Sequence, residues 1–272
     1  ASAELPGFSD FEALLADPTI EALVIATPPE PRFALARSAL LAGKHLLLEK
    51  PVALHADQVE ELQRLALQRD LCVAVDVEEA ADYDLWGRLG THAFDILHWL
   101  VGPTTFVQAR LATAIPERPL PEGGGRRGAV DAEDIALIQL ELEDRLGRRV
   151  PAQLNLASVT RSGRGCWIEI YGSDATLVLG SGNQDDYVHG FQLWMARPGE
   201  PLRPVPPDPA LVFGRTWEDG RIAPVRRLIG WWATSIRQRR PMVPGLSEAV
   251  SSQRCCDRAR TSALHGAMGG PP

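Results

Sequence analysis

The chain is predicted to join an α/β part to an α+β part. A parallel sheet flanked by helices comes first, then an open, mostly antiparallel sheet with helices on one face. Two observations predict this. Up to about residue 80, short apolar runs alternate with helical patterns at the spacing of βαβ units. Beyond about residue 103 the apolar period changes to two, with turn signals between neighbouring runs. The 272 residues suffice for two domains, with boundaries expected at 1–86 and 87–272.

Each element has a local reason. Ser9-Asp10-Phe11-Glu12 reads as a capping box, the Ser hydroxyl and Glu carboxylate satisfying free N–H groups at a helix start. Ala22–Thr27 is continuously apolar, the pattern of a strand buried on both faces, and Pro28-Pro29 stops it. A helix from Arg32 to Ala42 ends at Gly43, a residue suited to a left-handed C′ position. The strand His45–Glu49, an amphipathic helix Ala56–Arg69 and the strand Leu71–Val75 follow. This is the order of the second half of a Rossmann-like domain. Strands are then expected at Phe106–Ala114, Ile135–Leu142, Val150–Thr160, Cys166–Gly172 and Ala175–Leu179. The Pro-rich stretch Pro198–Pro209 suits neither regular helix nor central strand and reads as an exposed connection. Helices Ile222–Arg239 and Leu246–His265 close the fold, with a disordered tail expected at Gly269–Pro272.

Composition narrows the function classes. A net charge of −7 gives no basic footprint for nucleic acid or an anionic membrane. No apolar run approaches the roughly 20 residues of a membrane helix. Cys72, Cys166, Cys255 and Cys256 lack metal-ligand spacing, so no metal site is expected and a reducing, cytoplasmic setting is the default. Asp185-Asp186 lies on a polar Gly-Asn-Gln stretch and reads as solvated carboxylates. Trp231-Trp232 reads as core.

The chemistry-bearing residues fall at two places. Lys50 stands where the strand His45–Glu49 leaves the sheet, the edge at which open α/β sheets hold ligands. Gly90-Thr91-His92-Ala93-Phe94-Asp95 opens a helix with a His on its first turn. A Lys and a His brought to one cleft can move a proton to or from a substrate hydroxyl, as a dehydrogenase requires. A Gly-x-Gly-x-x-Gly turn joining a parallel strand to a helix would cradle a pyrophosphate. None precedes residue 22, and the Gly-rich stretches at Gly123-Gly124-Gly125 and Gly180-Ser181-Gly182 do not join strand to helix. The chain starts at Ala1 inside a folded-looking pattern, so a preceding segment is expected, and weak NAD(P)H binding by these 272 residues alone.

The order of these pieces resembles the Gfo/Idh/MocA family, named for glucose–fructose oxidoreductase and inositol dehydrogenase. Ala26-Thr27-Pro28 resembles its strand-end turn, and Ala42-Gly43-Lys44-His45-Leu46-Leu47-Leu48-Glu49-Lys50-Pro51 its long hallmark run. Gly90–Asp95, Glu133–Ala136 and Ile168–Ala175 resemble three segments of its second domain. The resemblance implies an NAD- or NADP-dependent oxidoreductase acting on a sugar, cyclitol or related polyol. It implies that Thr27, Pro28, Glu49, Lys50 and Pro51 meet the cofactor, with Glu49 near the nicotinamide ribose. Lys50 and His92 would be catalytic, Lys50 orienting the hydroxyl and His92 taking its proton, and Asp95 would reach the substrate. An unperturbed His pKa of about 6.5 suits that role. A homo-oligomer formed through the sheet of residues 106–179 is also implied.

Three departures stand out. Arg88 occupies a position where many members carry an Asp that partners the His, so Arg88→Asp is expected to raise the His92 pKa. Arg32 stands where the family often has a His, and the connection from Val75 to Gly90 is short. Two function classes therefore stand side by side: an oxidoreductase, and a non-enzymatic relative that keeps the oligomerising sheet without the cofactor site.

Overall fold

The structure is a computed structural model, which describes residues 7–76, 89–119, 125–160, 163–182 and 191–267. Arg88, Asp185-Asp186, Gly123-Gly124 and the tail at 269–272 lie outside the described residues. The chain begins with α1 (Phe11–Ala16), β1 (Ala22–Ile25), α2 (Pro29–Leu41), β2 (His45–Glu49), α3 (Ala56–Gln68) and β3 (Val73–Asp76). The three strands form one sheet in the order β1-β2-β3. Both pairings are parallel, Leu23 opposite Leu46 and Leu48 opposite Val75. The βαβ spacing carried this reading. Leu46, Leu48 and Val75 meet Leu40 of α2 and Val59 and Leu62 of α3 in a continuous apolar core.

Local chemistry adjusts several expectations. The cap of α1 is Asp10 rather than Ser9, its carboxylate accepting from the amides of Glu12 (3.2 Å) and Ala13 (3.3 Å). An Asp next to the first helical residue is already within reach of those amides. Strand β1 ends at Ile25, and Val24 is 61 % exposed, so β1 is not buried on both faces. Among the described strands it pairs only with β2, which leaves one side open. Gly43 does take the left-handed conformation (φ 77°), and its amide bonds the carbonyl of Leu40 at 3.0 Å.

The remainder comprises α4 (Thr91–Leu100), β4 (Thr104–Ala112), β5 (Glu117–Pro119), β6 (Arg127–Ala129), β7 (Ile135–Glu143) and β8 (Arg149–Ala157). After these come β9 (Cys166–Tyr171), β10 (Thr176–Ser181), β11 (Gln192–Ala196), β12 (Arg203–Val205), α5 (Ile222–Gln238) and α6 (Leu246–Ala267). The antiparallel part is divided rather than continuous: β4-β7-β8 form one sheet, β12-β11-β10-β9 another, and β5-β6 a short ribbon. Gly125 leads into that ribbon, so the Gly-rich stretch there serves an antiparallel pair and not a strand-to-helix turn. Strand β12 lies inside the Pro-rich stretch. It is tolerated because it is an edge strand, where a residue such as Pro204 need not donate to a second neighbour.

Packing groups the described chain into residues 1–159 with 230–272, and residues 160–229. In the first unit, α6 is a helix of 22 residues that serves two cores. Leu246 and Val250 in its first half join the parallel layer. Cys255, Cys256 and Ala259 in its second half pack with Phe94 of α4 and with Ala136, Ile138 and Leu140 of β7. Trp232 is 6 % exposed and donates Nε1–H to the Cys72 carbonyl at 3.3 Å, whereas Trp231 is 53 % exposed. Adjacent residues on a helix point about 100° apart, so only one of the pair can face the core.

One turn is especially intolerant. Gly102 has φ 147°, and a Cβ there would lie 2.0 Å from the backbone oxygen of Glu143. Gly102→Ala is expected to destabilise the fold by about 2 kcal/mol, read as a lowered midpoint in urea unfolding.

Candidate active site at the strand ends

The carboxyl ends of β1, β2 and β3 bring together Thr27, Glu49, Lys50, Pro51 and Asp76. Register places Glu49 opposite Asp76, and the amide of Lys50 donates to the Asp76 carbonyl (3.2 Å) and to Glu49 Oε1 (3.1 Å). Lys50 is 2 % exposed although charged. The Lys50–Pro51 peptide bond is cis. Thr27 Oγ1 is buried and has no hydrogen-bond partner among the described residues. A buried hydroxyl without a partner is costly unless something else bonds it.

Arg32 lies beneath this edge. It projects from the first turn of α2, is 0 % exposed, and its guanidinium donates to the carbonyls of Thr27, Glu49 and Pro51. Lys44, also inside the hallmark run, acts similarly farther away, bonding the carbonyls of Asp17 and Ile20 at 2.8 Å each. Sequence reasoning singled out Arg32 only as a departure and assigned Lys44 no task. The available signal was a cation placed beside chain turns whose carbonyls face inward.

His92 sits on the first turn of α4, half-buried, with Asp95 one turn further along. Burial pushes the Asp95 carboxyl up to about 6, and the Glu248 carboxylate on the first turn of α6 adds to the effect. Just before α6, the Pro244 carbonyl accepts from the amide of Val75 at 3.2 Å. The start of α6 thus lies close enough to Asp95 of α4 to act on its charge, and the residues just before it bond the strand that ends at Asp76. His45 and His98 take structural parts. His45 Nδ1 accepts from the Cys72 amide at 2.8 Å, and His98 Nε2 lies 2.9 Å from Thr104 Oγ1.

Comparison with known proteins fits this arrangement. Residues 1–77 match the oxidoreductase family with an NAD-binding Rossmann fold, GFO_IDH_MocA. Residues 81–268 match that family's C-terminal alpha/beta domain. The uncharacterized oxidoreductase sll0816 of Synechocystis sp. is 38 % identical, over 92 % of this chain and 79 % of its own length. The chain belongs to the Gfo/Idh/MocA family of oxidoreductases. Levoglucosan dehydrogenase of Pseudarthrobacter phenanthrenivorans is 25 % identical over 67 % of this chain and 61 % of its own. Among solved structures, levoglucosan dehydrogenase in complex with NADH and levoglucosan is similar at a TM-score of 0.77 and 19 % identity. It covers 95 % of this chain, which covers 82 % of it. UDP-N-acetylglucosamine 3-dehydrogenase from Acidithiobacillus ferrooxidans is similar at a TM-score of 0.72 and 20 % identity, with the same two coverages. At those identities the structures establish the shared fold. Family membership makes the chain an enzyme of the NAD-dependent oxidoreductase class. Among the described residues there is no group of three or more His, Cys, Asp or Glu that could hold a metal ion, and no helix long and apolar enough to cross a membrane.

The Glu49 position of this Gfo/Idh/MocA protein carries a pH signature. Burial pushes its carboxyl up to about 7, and the Asp76 carboxylate pushes the same way, while Lys50 and Arg32 oppose it. A carboxyl whose folded pKa lies above its unfolded value binds its proton more tightly when folded. Its contribution to stability is full at acid pH and is lost as pH rises through about 7. Glu49→Gln is therefore expected to raise the melting temperature relative to the parent at pH 8 and to leave it little changed at pH 4.

Proposed function

We propose that this protein is an NAD- or NADP-dependent dehydrogenase of a sugar, cyclitol or related polyol, with Lys50 and His92 serving one cleft at the ends of the parallel strands. The observation that carries it is Lys50, a charged side chain only 2 % exposed at the end of β2, whose backbone amide donates to the Glu49 carboxyl and to the Asp76 carbonyl. The residues fit the nicotinamide end of a dinucleotide. The unpartnered hydroxyl of Thr27 and the carboxylate of Glu49 offer the donors and acceptors that ribose hydroxyls and a carboxamide satisfy. Pro28 and Pro51 flank them without adding competing amide donors.

A bound oxidised nicotinamide supplies the hydride acceptor. His92 takes the proton of the substrate hydroxyl, and Lys50 donates to a lone pair of that oxygen, holding it so that its O–H points at the imidazole. Asp95 accepts from a neighbouring hydroxyl, which the many hydroxyls of a sugar provide. Its carboxyl, raised to about 6, is mostly ionised at neutral pH and so acts as an acceptor there. The names of the similar proteins, which act on levoglucosan and UDP-N-acetylglucosamine, support a carbohydrate substrate. The test is a panel of aldoses, cyclitols and polyols offered with NAD or NADP to the full-length protein. Reduced nicotinamide is expected with at least one of them, and none across the panel contradicts the reading.

The same reading includes a homo-oligomer, on a revised basis. The outer face of β4-β7-β8 is mixed, mostly polar: Gln108, Arg110, Gln139, Glu141, Gln153 and Asn155 lie on it, exposed, beside the exposed Phe106 and Leu137. In the other sheet Ile168, Ile170, Leu177, Leu179, Leu193 and Met195 share one face, each only half-buried in the single chain. A second copy covering that face would remove the exposed area. Sedimentation at micromolar concentration should give a dimer or larger species, and a monodisperse monomer counts against it.

A further inference from the structure

We infer that Arg32 is a positioning residue that clamps the two strand-end segments of the site, Thr27-Pro28 and Glu49-Lys50-Pro51, to one another. The inference rests on the dehydrogenase reading for its consequence in nucleotide binding, and on the structure alone for the clamp itself. The guanidinium is completely buried and donates to three backbone carbonyls, one after β1 and two around the end of β2. The Thr27 and Pro51 carbonyls lie beyond the strands, since β1 ends at Ile25 and β2 at Glu49, and Glu49 is the last residue of β2 in register with β3. A planar fork with five donors can reach both segments at once. A Lys ammonium has three donors at one point and cannot span them in the same way.

The site residues hang on these segments. Thr27 contributes a carbonyl to Arg32 and carries a buried hydroxyl at the same strand end. Glu49 and Pro51 contribute carbonyls on either side of Lys50. Anchoring the backbone before and after Lys50 fixes where its side chain starts, and displacements on the ångström scale matter to a reacting geometry. The guanidinium also counters the rise of the Glu49 carboxyl, so the clamp brings a positive charge close to that acid.

The test compares Arg32→Lys, which keeps the charge, and Arg32→Met, which keeps much of the volume, with the parent in the full-length protein. Native-state hydrogen exchange is read at the amides of Lys50 and Leu47, and NADH affinity is read by fluorescence. In Arg32→Lys the Lys50 amide is expected to exchange on the order of tenfold faster, or more, with Leu47 unchanged, because only the strand end loosens. NADH affinity is expected to fall on the order of tenfold. Arg32→Met should exceed both effects if it folds. Unchanged exchange at Lys50 in Arg32→Lys overturns the clamp. So does equal acceleration at Lys50 and Leu47, which marks general destabilisation. A local change at Lys50 in a protein whose parent binds no NADH upholds the clamp and removes the dehydrogenase reading instead.

Discussion

Lys50→Ala is expected to lower turnover by on the order of a hundredfold or more, the usual scale for a positioned group in proton transfer. The side chain is 2 % exposed, and its backbone is held by Asp76 and Glu49. Its ammonium therefore starts from a fixed base rather than from a loose loop. A buried charge in a fold without a task for it would be a cost alone, since removing it from water is expensive. Steady-state kinetics on Lys50→Ala and the volume-conserving Lys50→Met, with circular dichroism to show that both fold, provide the check. Turnover within a few-fold of the parent in both variants would mean that Lys50 is structural.

Phe94→Ala is expected to cost about 3 to 5 kcal/mol of stability, the range for deleting a fully buried aromatic ring. Phe94 is 0 % exposed and is shared by α4, β7 and the second half of α6. It sits between His92 and Asp95 in sequence, so the cavity opens under the helix turn that carries both. Urea unfolding measures the loss directly. A variant that loses less than about 1 kcal/mol would indicate that the surrounding side chains collapse into the space, contrary to the close packing around α6.

Much of the fold was legible because apolar patterning and topology agree. The run Leu46-Leu47-Leu48 is buried throughout, and only a strand covered on both sides calls for such a run. The alternation of Ala136, Ile138, Leu140 and Leu142 marked the inner face of β7, and all four are buried. Strands β11 and β12 escaped notice for different reasons. Gln192–Ala196 is short, and Pro204 argues against a strand until its edge position is known. The division of the antiparallel part into separate sheets depends on pairing, which a single-strand pattern does not encode.

The candidate site was legible at Lys50 and Glu49 because their place at a strand end follows from the run before them. Arg32 and Lys44 were not, since a cation in a helix or turn normally reads as solvated. Both are buried because inward-facing carbonyls need donors, a demand that appears only when the turns are assembled. The raised carboxyls of Glu49 and Asp95 likewise depend on neighbours distant in sequence, most clearly Glu248 for Asp95.

The central claim, hydride transfer from a carbohydrate carbon to a nicotinamide at these strand ends, is tested most directly by isotope transfer. A sugar or polyol that supports turnover is prepared with deuterium on the reacting carbinol carbon and incubated with oxidised nicotinamide nucleotide and the full-length protein. The account predicts that the deuterium arrives on the nicotinamide ring, and that Lys50→Ala slows its arrival in step with turnover. Deuterium released to solvent, with none on the nicotinamide, would contradict it.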